Sequence, residues 1–150
     1  MNKPMLRAEG IVLDSAKMKV LVQCDMEESF YRFPGGAVEF RETAVQAIER
    51  ELIEEFDLPV VLDELAVINE SIIEYDDKQR HDCTLIHWCH LNSEETYSFP
   101  IQHKERHGII LTWKSIKELH QKQVYPEGIL EVIRSKMFNK IHHITTIKSY

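Results

Sequence analysis

Pro34-Gly35-Gly36 leads straight into AVEFRETAVQAIERELIEEF, where the hydrophobic spacing becomes that of a helix. Ala44, Ile48, Leu52 and Phe56 recur every four residues, the buried stripe of an amphipathic helix. Thr43 with Gln46 three positions on forms a capping box, and Asp57 with Leu58-Pro59 closes the segment. The spacing therefore predicts a helix over about 43–56. The glycine pair before it reads as a tight turn that lets backbone atoms approach a ligand.

The outer face of that helix is acidic. At about 100° per residue, Glu51, Glu54 and Glu55 fall within an arc of roughly 100°, while Glu49 points to the far side. Arg50 lies one turn before Glu54 and neutralises part of the charge. The plainer reading is a solvated acidic face. Two features favour a bound cation: carbonyls of the glycine turn can join the carboxylates around a hard ion such as Mg²⁺, and three carboxylates in one arc exceed what solubility requires. The net charge of −7 and pI near 5.6 exclude a nucleic-acid polymer or an anionic membrane as partner, since both reward basic patches. An anionic ligand would need a metal ion.

A chain of 150 residues is near the commonest domain size, so one domain over 1–150 is expected. With 43% hydrophobic and 29% charged residues it reads as globular rather than disordered. No apolar run nears the roughly 18 residues of a membrane span, and MNKPMLRAEG lacks an apolar signal core. A cytoplasmic location is expected. Cys24, Cys83 and Cys89 have no scaffold-like spacing and read as free thiols in a reducing compartment.

GIVLD and KVLVQC, joined by DSAKM, read as a hairpin, and FYRF as a strand leading to the glycines. From VVLDELAVINESIIEY to CTLIHWCHL the pattern is β, with DDKQRHD as the polar connection, and GIILTW is a later strand. PEGILEVIRSKMF, opening with Pro126 and placing Ile129, Ile133 and Met137 on one stripe, predicts a second helix over about 126–138. The tail NKIHHITTIKSY stays unassigned. Strands interrupted by two helices suggest a mixed α/β sheet covered by helices.

Gly36, Glu42, Arg50, Glu51, Leu52, Glu54, Glu55 and Leu58 match, in register, the signature G-x5-E-x7-R-E-U-x-E-E-x-G-U, where U is a bulky aliphatic residue. Only the second glycine differs, being Asp57. In this box the chain resembles the Nudix hydrolases, the MutT-like family. The resemblance implies an α/β/α sandwich that hydrolyses a nucleoside diphosphate linked to another moiety, with Mg²⁺ or Mn²⁺ as cofactor. It implies Glu51, Glu54 and Glu55 as metal ligands, helped by a backbone carbonyl at Gly35 or Gly36. Arg50 joins the catalytic set as the residue that, with Glu42, holds loop and helix together. The general base is Glu51 or a distal carboxylate, foremost Glu105 and after it Glu94 or Glu95. The resemblance further implies a small-nucleotide substrate and a homodimer. At Asp57 the family glycine sits past the helix, where a left-handed backbone is expected; Asp is tolerated there.

Other groupings have blander readings. His81, Cys83, His87, Cys89 and His90 suggest zinc, yet strand residues six apart lie roughly 20 Å apart, too far for one tetrahedral site. PGGAVEF lacks both the P-loop ending and dinucleotide-fold spacing. Arg32, Arg41, Lys104 and Arg106 flank the box in sequence and are candidates for substrate phosphates. Phe30, Tyr31, Phe33, Tyr75, Trp88 and Trp113 are candidates for base stacking, although strand aromatics are more often core. Tyr75, 17 residues after Leu58, leans toward dinucleoside polyphosphates on the family's pattern. The rival function is a Nudix-like domain that senses a nucleotide or binds a protein without turnover; loss of box carboxylates would favour it, and all are present. A chance match on an acidic α/β protein leaves the register unexplained.

Overall fold

The computed structural model describes residues 2–150. In chain order the elements are β1 (Met5–Val12), β2 (Lys19–Asp25), β3 (Phe30–Tyr31), β4 (Gly35–Ala37), α1 (Ala44–Phe56), β5 (Val61–Tyr75) and β6 (Lys78–His90). After a 3₁₀ turn at Glu94–Thr96 come β7 (Ile101–Gln102), β8 (Ile109–Ser115), α2 (Ile116–Leu119), β9 (Gln123–Val124), α3 (Ile129–Ser135) and β10 (His142–Ser149).

A mixed five-stranded sheet runs β10-β5-β6-β1-β4. Its β1–β6 and β5–β10 pairs are parallel, and β5–β6 and β1–β4 antiparallel. A second, antiparallel sheet has the order β2-β8-β7. Because neighbouring strand residues point to opposite faces, β1 feeds two cores. Ala8 and Val12 pack with Ala47, Ile48, Leu52 and Phe56 of α1, while Ile11 and Leu13 pack with Trp88 and with Ile129, Val132 and Ile133 of α3. Helices thus cover both sides of the sheet.

The helix over the box forms as its spacing predicts. Thr43 accepts the Gln46 N–H at 3.1 Å, and the Gln46 side chain accepts the Thr43 N–H at 2.9 Å. Ile48 and Leu52 are fully buried; each such side chain contributes about 1.5–3 kcal/mol.

Several expectations are corrected. Gly35-Gly36 lie in β4, paired with Glu9 and Ala8 of β1, rather than in a turn. GIVLD and KVLVQC meet at their facing ends, through a Leu13–Val20 bridge and the Asp14 N–H on the Lys19 carbonyl at 3.1 Å, while β2 pairs with β8 along its whole length. FYRF supplies a strand of only two residues, Phe30–Tyr31. DDKQRHD is mostly strand: Asp76 and Asp77, both at positive φ, make a two-residue turn, and Lys78 onward pairs back with β5. The second helix is shorter than 126–138. Gly128 at φ 89° precedes it and Lys136 at φ 51° stops it, so Pro126 lies before it and Met137 is exposed beyond it. The unassigned tail contains β10, an edge strand beside β5. Among the described residues, no helix is long and apolar enough to cross a membrane.

Candidate active site

The acidic face of α1 closes over β4, and glycines make this approach possible. A Cβ on Gly36 would stand 2.5 Å from the Glu51 carboxylate carbon, so the absent side chain is the space Glu51 occupies. At Gly35, with φ 154°, a Cβ would stand 2.0 Å from the Ala8 carbonyl oxygen, so this glycine serves the strand pairing.

Arg50 ties the loop to the helix. Its Nε and Nη2 donate to Glu42 at 2.7 and 3.0 Å, and Nη2 also donates to the Ala37 carbonyl at 3.0 Å. Its Nη1 donates to Glu51 at 3.0 Å and Glu54 at 3.2 Å. This fork holds the Glu42 carboxyl down at about 2, as expected for a carboxylate with charge-assisted donors.

Glu55 is set apart. Burial, and then the neighbouring Glu51 carboxylate, push its pKa up to about 8. A partly buried carboxyl beside another carboxylate keeps its proton or accepts a cation. Glu55 Oε2 also lies 2.8 Å from His103 Nε2, with both side chains largely buried. His103 Nδ1 accepts the backbone N–H groups of Glu105 at 3.0 Å and Arg106 at 2.9 Å. The loop carrying them is fixed to the end of α1 by the Lys104 N–H on the Glu55 carbonyl at 2.9 Å. Lys104 Nζ donates to Asp57 Oδ1 at 2.8 Å.

Gly36, Glu42, Arg50, Glu51 and Glu55 are therefore contiguous, with Glu54 at the edge and half exposed. Glu105 is exposed, but its charge raises Glu55 and that of Arg106 lowers it. Glu94 lies elsewhere, accepting the Ser15 N–H at 2.7 Å. Among the described residues no three His, Cys, Asp or Glu side chains stand in metal-binding geometry; in the α1 cluster, the Arg50 guanidinium draws Glu51 and Glu54 toward itself. The donor set nevertheless suits a hard cation: oxygen ligands, a Glu55 carboxyl with raised proton affinity, and a glycine that lets Glu51 stand against the β4 backbone. Sequence reasoning missed His103. Its only local signal is a place in the polar segment before β8.

On the opposite face of the sheet, the Arg32 guanidinium lies over the rings of Phe30 at 5.2 Å and Tyr125 at 5.4 Å. Burial raises Glu9 there to about 7, against the charges of Arg7, Arg32 and Arg80. Asn69 shares a row with Thr84 and Arg7, and its Oδ1 is buried without a partner. Tyr31, Phe33 and Trp88 are core, whereas Trp113 packs edge-on against Phe99 at 5.6 Å. Tyr75 sits beside the Asp76-Asp77 turn. It is eight residues along β5 from Val67, which shares a register row with Glu9 and Gly35, or roughly 26 Å of strand. His87 and His90 both turn to Asp63. A cavity of about 410 Å³ lined by Asp63, Trp88, His90 and Phe138 includes no residue of the α1 site.

The fold is similar to that of a MutT protein from Bacillus halodurans, at 18% identity over 95% of this chain and 88% of that one, with a TM-score of 0.63. It is also similar to an ADP-ribose pyrophosphatase from Streptococcus suis, at 12% identity over 94% and 99% of the two chains and a TM-score of 0.60. A UDP-X diphosphatase gives 14% identity, coverage of 96% and 68%, and a TM-score of 0.65. No curated protein sequence matches the chain. The NUDIX domain model matches residues 4–134, most of the chain and the whole of the glycine–α1 site, and the chain belongs to the Nudix family.

Proposed function

We propose that this chain, acting as one domain over 1–150, is a metal-dependent pyrophosphohydrolase of a small nucleotide. The bond cleaved is the pyrophosphate of a nucleoside diphosphate linked to another moiety. The observation that carries this reading is the partly buried Glu51 and Glu55 beside Gly36, with Glu55 pushed up to about 8. Arg50 already meets the Glu51 carboxylate at 3.0 Å, and a bound cation would compensate Glu55 as well. Glu51, Glu54 and Glu55, with a backbone carbonyl of Gly35 or Gly36, would hold Mg²⁺ or Mn²⁺. When bound, the ion neutralises the pyrophosphate and lowers the pKa of the attacking water.

The remaining work falls to this chain's own groups. Arg50 fixes Glu51 relative to Glu42 and the β4 backbone, so the carboxylates are oriented before substrate arrives. Glu105, on its exposed loop, is the base that takes the proton of the attacking water. For the nucleoside end the candidate stacking surface is Arg32 with Phe30 and Tyr125, an aromatic–guanidinium arrangement that suits a base. A UDP-X diphosphatase and an ADP-ribose pyrophosphatase, both of similar fold, act on substrates of this class.

The test is turnover on ADP-ribose, dinucleoside polyphosphates, nucleoside triphosphates including oxidised ones, and nucleotide sugars, with Mg²⁺ or Mn²⁺. We expect one substrate group to be cleaved, Glu54→Gln/Glu55→Gln to abolish turnover, and Glu105→Gln to lower it about 10²–10⁴-fold. Silence across the panel from folded, metal-bound protein would turn the reading to a nucleotide-sensing domain.

A further inference from the structure

We infer that His103 is a positioning residue of the acidic site, offering its Nε2–H to Glu55 and fixing the orientation of that carboxylate. The inference rests on the reading of Glu51 and Glu55 as the cation's ligands, and it starts from the ring itself. His103 is buried, and its Nδ1 accepts two backbone N–H groups, from Glu105 at 3.0 Å and Arg106 at 2.9 Å. A nitrogen that accepts has no proton of its own, so the ring is the neutral tautomer with hydrogen on Nε2. That nitrogen stands 2.8 Å from Glu55 Oε2.

The ring cannot turn away without loss. Flipping it would replace Nδ1 by carbon and strand two backbone donors, each costing more buried than a made bond returns. Phe56 packs against it edge to face at 5.1 Å. The segment that carries it is held at both ends of the contact, by the His103 N–H on the Ile109 carbonyl at 2.9 Å and the Lys104 N–H on the Glu55 carbonyl at 2.9 Å. With Oε2 engaged, the carboxylate does not rotate freely, and its remaining lone pairs are left for a ligand shared with Glu51. The same imidazole also binds the backbone of Glu105, so one ring sets the orientation of a ligand on α1 and the start of the loop that carries the proposed base. Outer groups that orient a ligand in this way change metal affinity about 10–100-fold when removed.

The test compares the full chain with His103→Phe, which keeps the packing and loses all three polar contacts, and His103→Gln, whose amide can accept on one atom and donate on the other. Binding of Mn²⁺ without substrate is read from the electron paramagnetic resonance of the free ion, and kcat and KM are read separately. We expect His103→Phe to weaken Mn²⁺ binding about 10-fold or more and lower kcat with KM little changed, and His103→Gln to recover most of both. Wild-type Mn²⁺ affinity and kcat in folded His103→Phe would overturn the inference alone, provided Glu55→Gln still weakens binding. If Glu55→Gln leaves Mn²⁺ binding unchanged, the acidic-site reading falls and the inference with it. Should His103→Phe fail to fold, two-bond ¹H–¹⁵N spectra of the wild-type ring decide. An Nε2–H tautomer whose signals move on Mg²⁺ addition supports the role, and an Nδ1–H tautomer overturns it.

Discussion

Asp57 occupies the one signature position where this chain departs from glycine, and it does so at φ 53°, ψ 34°. An L-residue in this left-handed well loses stability relative to glycine, though Asp and Asn lose less than most. The side chain offsets part of the strain through Lys104 at 2.8 Å, a pair about half exposed or more at each end and so worth about 0–1 kcal/mol. We expect Asp57→Gly to change stability by no more than about 1 kcal/mol in urea unfolding, in either direction. Its relative gain should grow in about 1 M salt, where the lost pair is screened anyway. Destabilisation well beyond this, or lost turnover with folding intact, would contradict that account. The left-handed stop was legible because the signature fixes its position. His103 was not: its role comes from two following N–H groups and a carboxylate on α1, which meet only when the loop closes on the helix.

At the scale of elements, the two adjacent glycines of β4 separate pairing from chemistry. Gly35→Ala drives a methyl group into the Ala8 backbone carbonyl, which cannot move without breaking the β1–β4 ladder; substantial unfolding should be visible by circular dichroism and thermal melting. Gly36→Ala meets only the end of the flexible Glu51 side chain. It should fold with a loss of about 1–2 kcal/mol, yet bind Mn²⁺ more weakly and turn over slowly, because the carboxylate must shift. A Gly36→Ala variant with wild-type metal affinity would sink the assignment of Glu51. Elements with a local cause were readable: α1 from its period and capping box, and β8 from its apolar run. Others depend on partners far away in sequence. β10 exists because β5 has a free edge, β2 leaves β1 because β8 matches its full length, and α3 is cut short by backbone angles at Gly128 and Lys136 that apolar spacing does not reveal.

For the whole molecule, the same residues set how stability follows pH and metal. Glu42, held at about 2, contributes stability present above its unfolded value near 4.5 and lost as pH falls toward 2. Glu55 acts in the opposite sense. Its folded pKa of about 8 lies above the ordinary glutamate value of 4.5, so between them the native state holds a proton that the unfolded chain has released. Where the native state binds more protons, stability falls as pH rises. Without divalent ions the protein should therefore be more stable near pH 5.5 than near pH 8.5, and its net charge of −7 adds self-repulsion in the same direction. On the proposed reading, a cation on Glu51 and Glu55 would displace that proton, so its binding would strengthen as pH rises and its stabilisation would appear by mass action. Melting temperatures in EDTA and in millimolar Mg²⁺ check this. We expect a fall from about pH 5.5 to about pH 8.5 in EDTA, to which Glu9, raised to about 7, also contributes, a larger Mg²⁺ shift at the higher pH, and in Glu55→Gln a shallower fall and a flattened Mg²⁺ shift. A melting temperature that rises with pH in EDTA, or a Mg²⁺ shift untouched by Glu55→Gln, would place the dominant acid and the metal somewhere other than the end of α1.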